Sequence, residues 1–149
     1  MFKNLARGRL AAMFAAALAA AVSTAAPAAP PLKVAFVYVS PVGDAGWTYQ
    51  HDQGRLAMEK ALGDRVRTTV VESVAEGPDA ERVLRDLAAQ GHGLIFATSF
   101  GYLEPALRVA ADHPAVKFEH AGGYKTAANL STYNARYYEA RYLAGWLAG

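Results

Sequence analysis

Five short apolar runs alternate with segments of helical periodicity along most of this chain. That alternation constrains the fold more than any single motif. The run "KVAFVYV" (residues 33–39) is continuous, β-branched and aromatic, as a strand buried on both faces must be. "VRTTVVES" (66–73), "GLIFATS" (93–99), "AVKFEHA" (115–121) and "NLSTYNA" (129–135) read as further strands. Helical segments lie between them. Residues 48–62 carry Leu56, Ala57, Ala61 and Leu62 at helical spacing, and Gly63 stops them. "GPDAERVLRDLAAQG" has Pro78 near its first turn, early acids, a Val83–Leu84–Leu87–Ala88 stripe and a terminal Gly91. Residues 102–113 form a third helix that ends before Pro114; Pro105 falls in its first turn, where a missing N–H is tolerated. Residues 136–149 form a fourth, with Tyr138, Tyr142, Leu143, Trp146 and Leu147. Strand and helix repeated in this way build βαβ units and a parallel sheet covered on both faces. Right-handed crossovers then predict an α/β, doubly wound, flavodoxin-like sheet ordered 2-1-3-4-5.

The last helix is apolar nearly all round, and the sequence stops on it at Gly149. A surface helix shows a polar face. Burial by further chain is therefore expected, in a longer protein of which this is a truncated part.

The composition, 53% hydrophobic and 19% charged, is globular but slightly apolar. Part of that bias is local. Lys3, Arg7 and Arg9 begin the chain, Leu10 to Val22 is uncharged and Ala-rich, and small residues follow in "STAAPAAP". These are the three parts of a secretory signal peptide, expected over residues 1–25 with cleavage near Ala25. Residues 26–32 then read as an extended linker, and 33–149 as the folded lobe. The apolar run is short for a membrane span, so no stable membrane insertion is expected after cleavage. Cleavage removes three basic residues and no acids, leaving 12 Lys and Arg against 13 Asp and Glu. No basic field remains to favour nucleic acid. The absence of cysteine excludes disulfides and thiolate metal sites, and with export it fits a bacterial periplasm.

Ligands of doubly wound sheets bind outside the carboxyl ends of the strands. That rule selects residues 40–48, 99–102, 120–125 and 133–135. The first of these, "SPVGDAGWT", places Trp47 beside Gly43 and Gly46. Trp47 can offer a flat face to a planar ligand, or it can cap the core at the start of a helix. The residues alone leave both readings open. Phe100, Tyr102, Tyr124 and Tyr133 share the edge, and several aromatics on one rim suit a planar or sugar-like ligand. Asp44 suits a turn in "GDAG" and can also accept from ligand hydroxyls or amines. His51 and Asp52 read as a solvated helix face, and His92 and His113 as turn residues. His120 is either a donor to ligand or a strand-end histidine satisfied by backbone. No nucleophile elbow, P-loop, dinucleotide fingerprint or metal-ligand spacing is present. The sequence implies no catalytic constellation and no cofactor.

Three stretches, "KVAFVYVSPVGDAGWTYQHDQGR", "FATSFGY" and "VKFEHAGGYKTAANLSTYNARYYEARYLAGWLAG", occur in an order that resembles the basic membrane protein (BMP) family of ABC-transporter substrate-binding proteins, related to the purine nucleoside receptor PnrA. The resemblance implies a type I periplasmic binding protein, of which this chain would supply the first of two lobes. It implies a purine nucleobase or nucleoside held in the cleft, an ABC permease as partner, and a periplasmic location. Trp47 occupies the family's base-stacking position. Thr48 stands where Asn is common. Glycines in "EHAGGY" replace an acid that relatives use for ribose, which points toward a free base such as adenine. Asp44, Thr48, Ser99, Phe100, His120 and Tyr133 join Trp47 as candidate ligand contacts. Two other classes compete: a periplasmic sensor lobe with a signalling partner, and an enzyme built on Asp44 and His120. Neither has a sequence signal of its own, and an adjacent permease gene separates transport from sensing.

Overall fold

The structure, a computed structural model, describes residues 29–149, so the expected signal peptide lies outside it. Its elements are β1 (Leu32–Val37), α1 (Trp47–Leu62), β2 (Val66–Val71), α2 (Pro78–Ala89), β3 (Leu94–Ala97), α3 (Leu103–Asp112), β4 (Lys117–Ala121), β5 (Leu130–Tyr133) and α4 (Tyr137–Ala148). Single 3-10 turns at Gly63–Arg65 and Phe100–Tyr102 precede β2 and α3. All strand pairs are parallel, in the expected order β2-β1-β3-β4-β5.

Register sorts the side chains onto two faces. Ala35, Val37, Ile95, Ala97, Phe118 and Leu130 join Leu84 and Leu87 of α2 and Val109 and Ala110 of α3 in one buried cluster. Each fully buried Leu, Val or Phe there stabilises the lobe by roughly 1.5–3 kcal/mol. Val34, Phe36 and Tyr38 form the opposite cluster, where Phe36 stacks on Phe96 with centroids 4.5 Å apart. Asn129, just before β5, points its amide at the carbonyls of Ala110, His113 and Val116, at 2.8–3.1 Å. This joins the end of α3 to the last two strands.

The first helix corrects the sequence reading. Its expected stripe fails: Leu56 is 43% exposed, and the buried positions are Thr48 and Asp52. Nor is Asp52 on a solvated face. It accepts hydrogen bonds from the Tyr38 hydroxyl (3.3 Å) and from Arg55 Nε (2.7 Å). Arg55 also reaches Glu59, and Thr68 of β2 donates to Glu59. The helix therefore meets the sheet through a chain of paired polar groups, which is why a periodicity search for apolar residues misplaces its inner face. Burial and the Asp52 charge push the Tyr38 hydroxyl well above the ordinary tyrosine range, so it stays a donor. His92 is likewise interior, bonded to Leu87 O and Thr69 Oγ1 at 2.9 Å each.

Every residue of α4 is exposed, with Trp146 at 78% and Leu147 at 83%. The unusual apolarity read from the sequence thus appears as an uncovered apolar surface.

Candidate functional site

The loops chosen from the sequence do meet at the carboxyl edge of the sheet. Gly46, with φ +95°, supplies the left-handed backbone that lets α1 begin at Trp47. The indole then lies across the ends of β1 and β3. Its Nε1–H donates to the carbonyl of Thr98 at 2.5 Å. Thr98 is fully buried and fixed in turn, since its amide and hydroxyl both donate to Val37 O, at 3.3 and 2.8 Å. The ring is therefore tethered by its polar edge to the strand ends, while 40% of the residue stays exposed. Its tether is that of a core cap; its free surface is that of a platform.

Below Trp47 a cavity of about 840 Å³ runs between α1 and the sheet, within the size range of small-molecule sites. Phe36, Phe96, Met58, His51, Tyr133 and Tyr137 line it with Trp47. His51 stacks at a tilt against the indole, with centroids 4.7 Å apart, and its Nδ1 lies 2.9 Å from Trp47 O. Tyr137, the first residue of α4, stands 6.0 Å from the indole at 44°. Tyr133 sits 6.0 Å from His51 and meets Phe96 edge-on at 6.2 Å. Burial, with the Glu119 charge, pushes the Tyr133 hydroxyl well above its ordinary range, so it is a neutral donor at physiological pH. Gln50 and Asn134 add polar groups to the lining. The arrangement suits a planar apolar body with a few hydrogen-bonding atoms.

The other candidates divide. Asp44 is exposed on the rim and belongs to no ion pair among the described residues. Phe100 is 62% exposed and pairs with Tyr124 at 6.0 Å, away from the cavity lining. Thr48 and Ser99 turn inward: Thr48 Oγ1 is 2.7 Å from Ser40 Oγ, and Ser99 Oγ donates to Glu76 at 2.6 Å. His120 is fully buried, and neither ring nitrogen completes a hydrogen bond. Desolvation lowers its pKa, against an opposing pull from the backbone of Ser99 and Phe100. His120 thus sits at the end of β4 against the backbone of Ser99 and Phe100.

Sequence reasoning passed over His51, Phe96, Asn134 and Tyr137. Phe96 lies inside an expected strand, and the other three look like ordinary helix-surface or loop residues until the fold brings His51 within 6.0 Å of Tyr133. The glycines after β4 also gain a local cause. Gly122 has φ +74°, and a Cβ on Gly123 would fall 2.6 Å from His120 Nδ1. Backbone and packing require glycine at both positions, whatever the ligand. Among the described residues no three His, Asp or Glu side chains are grouped to hold a metal ion.

The model of the family described as ABC transporter substrate-binding protein PnrA-like matches residues 32–149. Over 117 residues the chain is 60% identical to a purine-binding protein of Brucella abortus, covering 78% of this chain and 33% of that one. Over 118 residues it is 44% identical to a Haloferax volcanii protein named as an ABC-transporter glucose-binding protein, covering 79% and 30%. The chain thus spans about a third of the length of these curated relatives. Among solved structures, a solute-binding protein of an ABC transporter system from Conexibacter woesei superposes with a TM-score of 0.62 at 25% identity, covering 69% of this chain and 35% of that one.

Proposed function

The chain belongs to the family of PnrA-like ABC-transporter substrate-binding proteins, and from that premise we propose that it forms one lobe of a periplasmic protein that captures a purine, with adenine as the favoured base, for an ABC permease. The family is one of binding proteins and not of enzymes. Release of the ligand unchanged is the corresponding mechanism, and it needs no catalytic group. Residues 1–25 act as the export signal in this reading.

The observation that carries the proposal is the tethered, half-open Trp47. A stacking platform works when its ring is held in place before the ligand arrives, because no side-chain entropy is then lost on binding. The bond to Thr98 O holds the indole in this way. A base laid on the exposed face exchanges water for a π-surface, and its edge meets hydrogen-bonding groups such as the Tyr133 hydroxyl. The 60% identity to a purine-binding protein supports the same ligand class. A sugar is the second reading, supported by the 44% relative's name and by the general affinity of aromatic platforms for sugar rings. The glycines after β4 no longer separate base from nucleoside, given their local causes, so that choice passes to experiment.

Calorimetric titration of the full-length protein with adenine, guanine, adenosine and glucose tests the proposal. Adenine binding at micromolar dissociation constant or tighter, with no heat from glucose, is the expected result. Glucose binding without purine binding refutes it.

A further inference from the structure

The loop between β2 and α2, residues 72–77, contributes no residue to the cavity lining, yet it bonds to both loops that frame the ligand edge. Glu72 Oε2 accepts from the amide of Val42, in the loop leading to Trp47, at 3.0 Å. Glu76 Oε1 accepts from Ser99 Oγ at 2.6 Å and from the amide of Gly101 at 3.1 Å, in the turn carrying Phe100. Between the acids, Val74 N–H donates to Tyr38 O at 3.0 Å, and Val74 O accepts from the Tyr102 hydroxyl at 2.6 Å. The loop is thus stitched to the end of β1 and to the turn after β3. Ser73, its second residue, has φ +57°. It is the one non-glycine residue with positive φ among the described residues. Such a conformation persists when its surroundings over-determine it, and here hydrogen bonds on both sides do so. A Cβ on Gly101 would lie 2.2 Å from Glu76 Cδ, so the carboxylate sits directly against that backbone.

We propose that Glu72 and Glu76 are positioning residues of the ligand edge, a pair of carboxylates on one loop that sets the distance between the Trp47 loop and the Phe100 turn. This inference rests on the ligand reading given above. Val42 packs against the Phe36 and Tyr38 cluster and Tyr102 is buried in the other cluster, so both framed segments have an apolar anchor; beside those anchors the two carboxylates fix the amides of Val42 and Gly101 through charge-assisted bonds. A platform that shifts by an ångström loses its alignment with groups on the rest of the site.

The test uses full-length protein bearing Glu72→Ala, Glu76→Ala, Glu76→Gln or Gly101→Ala. The first readout is amide hydrogen exchange at Val42 and Gly101 without ligand. Loss of a typical hydrogen bond speeds exchange about fivefold to tenfold, at Val42 in Glu72→Ala and at Gly101 in Glu76→Ala. Gly101→Ala, which pushes the carboxylate away, weakens adenine binding as Glu76→Ala does. Glu76→Gln keeps an acceptor oxygen and stays within about threefold of wild type. The second readout is adenine affinity well below the melting temperature, expected to fall about tenfold in both alanine variants. Lowered melting temperature with affinity unchanged, or unchanged exchange at both amides, overturns the proposal. A wild-type protein that binds no adenine refutes the functional reading alone, because the exchange measurement is made without ligand.

Discussion

Replacing Trp47 separates its two roles. The indole does two jobs through two parts of the ring: its Nε1–H holds Thr98 O, and its exposed face borders the cavity. Base–aromatic stacking contributes about 1–3 kcal/mol by alanine substitution. Trp47→Ala in the full-length protein should therefore weaken adenine binding by about one to two powers of ten. Trp47→Phe keeps a flat face and loses only the tether. A net hydrogen bond contributes about 1 kcal/mol, so this variant should melt earlier while keeping most of its affinity. Asp44→Asn is the internal control: it leaves the ring alone and should change affinity little if Asp44 serves the turn. The assay is isothermal titration with adenine, guanine, adenosine and a non-purine amino acid, on all four proteins, with thermal melts in parallel. The reasoning fails if Trp47→Ala lowers the melting temperature and leaves the affinity of the folded protein unchanged. Trp47 would then be a cap and nothing more.

Three further outcomes follow from the fold. Burial holds the His120 pKa below its ordinary 6.5, so as pH falls the unfolded chain takes up the proton first and stability drops below about pH 6.5, with no contribution above it; His120→Leu should flatten that acid limb in denaturant titrations, and identical limbs would contradict the assignment. Removing the Asp52 carboxylate strips Arg55 and Tyr38 of their shared acceptor, so Asp52→Ala should lower stability by about 1.5–3 kcal/mol, read from the urea midpoint, with Asp52→Asn intermediate. Residues 29–149 alone present the uncovered α4 surface, so they should self-associate with rising concentration in sedimentation and become monomeric when Leu143 and Trp146 are both changed to Glu; a monomer at all concentrations before substitution would refute this.

The identity, order and parallel pairing of the strands could be read from the chain because their causes are local. A continuous apolar run differs in period from a helix, glycine and proline mark the ends, and right-handed crossovers leave few topologies open. Those causes also placed four loops at the carboxyl edge and drew attention to Trp47. What a side chain does once there depends on partners far away in sequence. Trp47 finds Thr98 fifty-one residues on, because β1 and β3 are neighbours in the sheet. Ser99 and Thr48, chosen as ligand contacts, spend their hydroxyls on Glu76 and Ser40. Asp52 looks like a surface residue until Tyr38 and Arg55 close around it. His120 points away from the rim because its register opposite Ala97 and Thr132 places it on the α3 face. Periodicity fixes which residues share an element; strand order and register, through long-range pairing, decide which atoms meet.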